Sequence, residues 1–371
     1  MEVFSIAILL FSFLLLLSIG TPVAWSIIIS SLFTLLVSVP FLPALTTISQ
    51  RMATGIDSFA LLAIPFFILS GELMNKGGVA HRLVAFAKAL VGFLPGGLAL
   101  INVISAMLMG SVAGSAMASA SAMGSILGPE MEKEGYSKGF GVAINITSAT
   151  TGLVIPPSNI LIVYSLASGG ASIAALFLAG YIPGILTGLF LMAVAMIWAK
   201  KKNFKTGKRA PLKTVFGSFV RAFPSLMLLF VVIGGIVSGV FTATEASAIA
   251  VIYTLVLGFV YKEITFKTLP TILLKSSTTT AIVMFLIGAS MSMSWVLSYE
   301  NIPEMISSGI LSLSDNKIVI LLLINFTLLF VGIFMDMTPA VLIFTPIFLP
   351  IVTQLGIDPV HFGIIMILNL C

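Results

Sequence analysis

Gly110-Ser111-Val112-Ala113-Gly114-Ser115-Ala116 and, one helix-length on, Thr147-Ser148-Ala149-Thr150-Thr151-Gly152-Leu153-Val154-Ile155-Pro156-Pro157-Ser158-Asn159 are small-residue and proline interruptions in strongly apolar surroundings. In hydrocarbon an unpaired peptide group is costly, so such backbone is tolerated at membrane depth only where it is buried in protein or lines a polar cavity. Two breaks separated by a single helix read as the carbonyl- and hydroxyl-lined half of an ion or substrate site.

The rest of the chain points to a membrane. Of 371 residues, 59% are hydrophobic and 8% charged, and the mean hydropathy is +1.19, which no water-soluble domain of this size carries. Runs such as Ile6–Leu17 and Ile318–Phe334 have helix length and lack the alternation of barrel strands, so the fold class is an all-α polytopic membrane protein. The single cysteine, Cys371, excludes a disulfide framework or a cysteine metal cluster, and the two histidines, His81 and His361, stand far apart in the sequence. No transition-metal site is expected. The first apolar run lacks a basic flank and a small-residue cleavage site and reads as a retained helix. No His-Glu-x-x-His, Gly-x-Gly-Asp or Gly-x-Ser-x-Gly pattern occurs, which argues against an intramembrane enzyme and leaves no catalytic residue to assign.

Positive charge gives the topology. Lys200, Lys201, Lys202, Lys205, Lys208, Arg209 and Lys213 fall in one polar segment, 200–222, between apolar blocks, and the positive-inside rule places it in the cytoplasm in preference to reading it as a nucleic-acid patch. Counting back through apolar crossings at 174–198, 139–168, 56–74, 24–40 and 3–19, with 97–130 as a re-entrant hairpin, puts Met1 outside. Sixteen lysines and arginines then lie inside, with only Arg51 and Lys317 outside. The hairpin legs, 98–110 and 115–129, have 13 and 15 residues, short of the roughly 20 that a spanning helix needs.

The order of parts recurs at a shift of 221. Thr21 pairs with Thr242, Ser26 with Ser247, Pro129 with Pro350 and Gly135 with Gly356. A second apolar leg ends at Gly332-Ile333-Phe334-Met335-Asp336-Met337-Thr338-Pro339 and returns to Pro350, giving a second hairpin over 318–355. An odd number of crossings precedes the basic linker, so the halves enter the membrane in opposite senses, as an inverted repeat of residues 1–199 and 223–371. The shift places the partner of Pro156-Pro157 beyond Cys371, so the second repeat is expected to continue past the sequence given.

Candidate ligands are neutral oxygens. The first tip offers Ser111, Gly114, Ser115 and Ser119, and the broken helix Asn145, Thr147, Ser148, Thr150, Thr151 and Gly152. Carbonyls and hydroxyls at opposed helix ends suit Na⁺, although small residues at this spacing also let helices pack closely. Asp336, an acid at apparent membrane depth, either binds a cation or caps the following leg with Thr338 and Pro339 in its first turn. Glu245, in Phe241-Thr242-Ala243-Thr244-Glu245-Ala246, is a second-tier candidate that equally fits a helix start. Glu72 reads as an interfacial residue, and 79–91 as an amphipathic helix along the cytoplasmic interface.

Together these motifs, with Ile126-Leu127-Gly128-Pro129 and Gly135-Tyr136, resemble the large membrane subunit of tripartite ATP-independent periplasmic (TRAP) transporters, across the whole chain. The resemblance implies an elevator-type permease of the bacterial inner membrane with a moving transport block and a static scaffold. It implies Na⁺ as coupling ion, no other cofactor, and import of an organic acid such as a C4-dicarboxylate, sialic acid or another sugar acid. Its partners would be a small four-helix membrane subunit and a periplasmic binding protein. It places one cation site at Ser111–Ser115 with Thr147–Gly152, and a second at Gly332–Pro339 with Asn369. Pro156, Pro157, Ser158, Asn159 and Pro339 would flank the substrate. The alternative within transport is a stand-alone divalent-anion/Na⁺ symporter that needs no binding protein.

Overall fold

The computed structural model describes residues 2–202, 204, 207, 209–313 and 316–371, so Lys205 and Lys208 of the basic linker lie outside the described residues. Every regular element among them is helical. In chain order these are α1 (Glu2–Ser18), α2 (Val23–Leu35), α3 (Phe41–Gly55), α4 (Ala63–Lys76), α5 (Val79–Val91), α6 (Gly97–Ala113), α7 (Ala116–Lys133), α8 (Lys138–Val154) and α9 (Asn159–Ala167). There follow α10 (Ile173–Lys201), α11 (Leu212–Val237), α12 (Ala243–Val260), α13 (Leu269–Tyr299), α14 (Ile302–Leu313), α15 (Lys317–Phe334), α16 (Met337–Gln354) and α17 (Pro359–Leu370), with a short 3₁₀ turn at Phe59–Leu62.

Seven of these stretches are long and apolar enough to cross a membrane, and the broken pair α8–α9 makes an eighth if taken as one span. The sequence reading missed α3. The crossing expected over 24–40 ends at Leu35; Pro40 has no N–H to continue that helix and stands as the N-cap of α3. The first hairpin's legs are longer than expected, 17 and 18 residues: α6 runs through Gly110 to Ala113, and α7 accommodates Pro129 and continues to Lys133. Only the second pair, α15 and α16, passes the length-and-hydropathy test for spanning.

The chain divides into two compact units. One holds residues 1–61, 162–172 and 279–370; the other holds 62–161 and 173–278. In the first unit Leu35, Ala44, Ile48 and Val296 form a buried cluster, and the Tyr164 hydroxyl donates to the Pro359 carbonyl at 2.6 Å, tying the end of α9 to the start of α17. In the second unit Leu73, Ile264 and Ile272 are buried together. There Glu72 departs from the interfacial role expected: it is 9% exposed and paired with Lys275 Nζ at 2.9 Å. A carboxylate withdrawn from water needs that partner, since an unpaired buried charge is heavily penalised.

The second unit is built around the seam of α6 and α8. The two helices run parallel, because Asn102 meets Asn145 and, further along both, Gly110 meets Gly152. At the second meeting point the backbones touch: a Cβ on Gly110 would lie 2.6 Å from the Gly152 Cα, and one on Gly152 would lie 2.5 Å from the Gly110 Cα. Neither position admits a side chain without moving a helix. Gly110→Ala and Gly152→Ala are each expected to cost about 1–3 kcal/mol, the range for overpacking. Gly217→Ala, with open space around it in α11, is expected to be neutral or stabilising, since alanine is the better helix former. Thermal unfolding of the detergent-purified variants measures this, and equal loss at all three positions would contradict the close-approach explanation.

Candidate functional site

Both parallel helices end at the same place. α6 stops at Gly114, whose left-handed backbone (φ +59°) and N–H to the Gly110 carbonyl at 2.8 Å form the C-cap. Ser115 then starts α7, its Oγ accepting from the Ala118 N–H at 3.3 Å. α8 stops at Val154 before Pro156-Pro157, and α9 begins at Asn159. The two prolines have no N–H, so the Gly152 and Leu153 carbonyls lose the donors that a continuing helix would give them. Asn159 closes the gap, its Nδ2 reaching the Gly114 carbonyl at 3.5 Å.

The electrostatics follow from the directions. Two helix C-termini, α6 and α8, bring partial negative charge and free carbonyls to this junction, while the N-termini of α7 and α9 bring partial positive charge beside them. Two buried side-chain oxygens here, Ser158 Oγ and Asn159 Oδ1, have no hydrogen-bond partner. Buried polar atoms are normally satisfied. A cation among carbonyl, hydroxyl and amide oxygens, next to a carboxylate at the helix N-termini, would satisfy both sets of groups.

The predicted ligands divide sharply. Ser111, Ser148, Thr151 and Gly152 are buried, and Gly114 is buried against Asn159. Ser111 Oγ donates to the Leu108 carbonyl at 3.0 Å and Thr151 Oγ1 to the Ser148 carbonyl at 2.6 Å, while Ser148 Oγ donates to the Ile144 carbonyl; their protons are used, and their lone pairs remain. Thr147 is exposed and Thr150 half-buried, with their hydroxyls bonded back to the Ala143 and Thr147 carbonyls. Asn145 lies about 9 Å before Thr151 along the axis, by helix rise. It instead braces the hairpin, accepting from Asn102 Nδ2 at 3.4 Å and donating to the Ala120 carbonyl at 2.8 Å.

The other unit repeats the parts. α15 ends at Phe334, and Asp336 caps α16, its carboxylate accepting from the Thr338 N–H at 3.1 Å; Asp336 is exposed and Pro339 buried. Asn369 Nδ2 donates to Asn325 Oδ1 at 2.6 Å, while Gly332 faces Leu370. Each hairpin's first leg is thus joined to a following helix by an asparagine pair, Asn102–Asn145 and Asn325–Asn369. Asn102 and Asn325 escaped the sequence reading. The signal that would have found them is a single amide in an otherwise apolar leg, 43 or 44 residues before a second one.

Glu245 is fully engaged in a capping box. Its Oε2 accepts from the Thr242 N–H at 2.8 Å and the Thr242 hydroxyl at 2.9 Å, while its own N–H donates to Thr242 Oγ1 at 3.2 Å.

Residues 10–371 match the family model described as the tripartite ATP-independent periplasmic transporter, DctM component. The chain belongs to this family. It is 56% identical over 368 residues, 99% of this chain and 85% of the relative, to the uncharacterised protein YgiK of Salmonella typhimurium. It is 39% identical over 362 residues, 97% of this chain and 84% of the relative, to the sialic acid TRAP transporter large permease protein SiaM of Vibrio cholerae. Among solved structures the YdaH transporter of Alcanivorax borkumensis shares the fold, with a TM-score of 0.58 at 15% identity over 90% of this chain and 78% of that one. As a DctM-family permease the chain is a transporter component, which agrees with the absence of an enzyme motif in the sequence. Because Glu245 closes the capping box of α12, Glu245→Ala should lower the stability, while Glu245→Gln, which still fits the capping box, should keep most of it. Uptake per folded molecule should be unchanged in both; loss of uptake in a stable Glu245→Gln protein would make the carboxylate a ligand instead.

Proposed function

We propose that the chain is the large permease subunit of a Na⁺-coupled importer of an organic acid. It would work in the bacterial inner membrane with a small four-helix membrane subunit and a periplasmic binding protein, by an elevator-type movement. The observation that carries this reading is the convergence of α6 and α8 on one junction, with the Gly152 and Leu153 carbonyls stripped of donors and Asn159 Oδ1 and Ser158 Oγ buried beside them unpaired. Neutral oxygens of this kind favour a monovalent cation; a divalent one calls for carboxylates, and neither the Gly110–Ala116 nor the Thr147–Asn159 segment contains one. The adjoining N-termini of α7 and α9 favour a carboxylate, which is consistent with the sialic acid that SiaM is named for.

The second cation seat is assigned to Gly332–Pro339 with Asn369. Asp336 there serves through its backbone and as the cap of α16. Two features favour an external capture protein. The DctM family is one component of a tripartite system, and among the described residues the segments between helices are short.

Energetics bear on the stoichiometry. An inward-negative potential is worth about 2.3 kcal/mol per charge per 100 mV, so import of a dianion gains from it only with more than two Na⁺. In proteoliposomes carrying both membrane subunits, uptake should fall to background when either the Na⁺ gradient or the binding protein is omitted. Asn159→Ala and Ser158→Ala should raise the Na⁺ concentration for half-maximal uptake about tenfold, the effect of losing ~1.4 kcal/mol of ion binding. Na⁺-driven uptake by the large subunit alone would contradict the tripartite reading and support the stand-alone symporter.

A further inference from the structure

At the other end of the first hairpin, away from the tip, α6, α7 and the start of α8 enclose a cavity of about 290 Å³. Its room comes from Gly128 and Gly141, beside which a Cβ would meet nothing closer than 4.0 Å. Two of its lining groups are buried with hydrogen-bonding capacity left over: Asn102 Oδ1, on a residue 1% exposed, and the Tyr136 hydroxyl, on a residue 4% exposed, whose oxygen faces the Leu98 backbone N–H but whose proton has no acceptor. Buried side-chain oxygens without partners are uncommon in folded proteins, and here the amide oxygen asks for a donor while the phenol proton asks for an acceptor. Glu132 and Lys138 line the same cavity, both exposed, and form no ion pair with each other. Ser137 caps α8 beside Lys138, adding the positive end of a helix to the ammonium. The cavity therefore presents one set of groups to a cation and another to an anion.

Its depth is marked by aromatics. Phe140, two residues beyond Lys138, stacks on Trp198 at 6.1 Å, and α10 ends just past that tryptophan at Lys200 and Lys201. Tryptophan followed by lysines at a helix end is the pattern of the headgroup region. Val142 lines the cavity and Ile146 lies one turn further along α8, 50% and 56% exposed, leaving an apolar track that runs into the bilayer.

We propose that this cavity binds the headgroup of a phosphatidylethanolamine, with its ammonium on Asn102 Oδ1, its phosphate held by Lys138 and the Tyr136 hydroxyl, and an acyl chain along Val142 and Ile146. The order of groups fits: the ammonium is the terminal group and enters deepest, while the phosphate stays at the mouth. A primary ammonium donates hydrogen bonds; the trimethylammonium of phosphatidylcholine does not, and phosphatidylglycerol brings no cation and meets Glu132.

The test is thermal unfolding of the delipidated, purified protein supplemented with phosphatidylethanolamine, phosphatidylcholine, phosphatidylglycerol or free phosphoethanolamine. Phosphatidylethanolamine should raise the midpoint by several degrees more than the other two lipids. Lys138→Gln and Glu132→Gln, both at exposed positions, should remove that excess while leaving the lipid-free midpoint unchanged. Equal gains from all three lipids would overturn the proposal, as would an excess that survives both substitutions. A gain from millimolar phosphoethanolamine with none from the lipid would overturn the lipid assignment in favour of a soluble zwitterion.

Discussion

A peptide group at membrane depth needs a partner, and the chain departs from continuous helix only where that need is met or exploited. The α6–α7 turn closes with Gly114 in the left-handed backbone region, which glycine enters without the Cβ penalty that other residues carry. The α8–α9 break is covered by Asn159 reaching to the Gly114 carbonyl. Gly110 and Gly152 bring the two interruptions into register by letting their helices touch. Without that contact the carbonyls exposed by Pro156-Pro157 would face a gap. With it they share a single polar junction.

One consequence is that opposite charges can be served without ionisable side chains. Each helix end carries about half an elementary charge, and at this junction two negative ends lie beside two positive ones. In the proposed scheme the cation and the carboxylate sit next to each other, each lowering the other's cost of leaving water. That is the coupling Na⁺-driven uptake requires, and it leaves Asp336 and Glu245 free to serve as helix caps, the geometry both display.

Much of this was legible in the sequence because it is written in backbone chemistry. Glycine and proline mark where a helix stops, and the amphipathic stretch 79–91 became α5 with the same ends. The choice among the hydroxyls of α8 was not legible. Lipid is as apolar as a protein core, so a membrane helix carries little amphipathic bias to tell its buried face from its lipid face, and Thr147 and Thr150 look as suitable as Ser148 and Thr151 until α6 is placed. Glu72 was misread for a related reason: its partner Lys275 is 203 residues away. Asn102 and Asn145 are likewise brought together only by the fold, 43 residues apart in the sequence.

Hydrogen–deuterium exchange reads the junction directly, since amide protection reports local opening. A cation seated between the ends of α6 and α8 predicts that Na⁺, and not choline at equal ionic strength, slows exchange in 110–119 and 151–161 together, with the same Na⁺ dependence in both segments and loss of the effect in Asn159→Ala. Exchange that is indifferent to the identity of the cation, or protection in one segment without the other, would contradict a shared cation seat at Gly114 and Asn159.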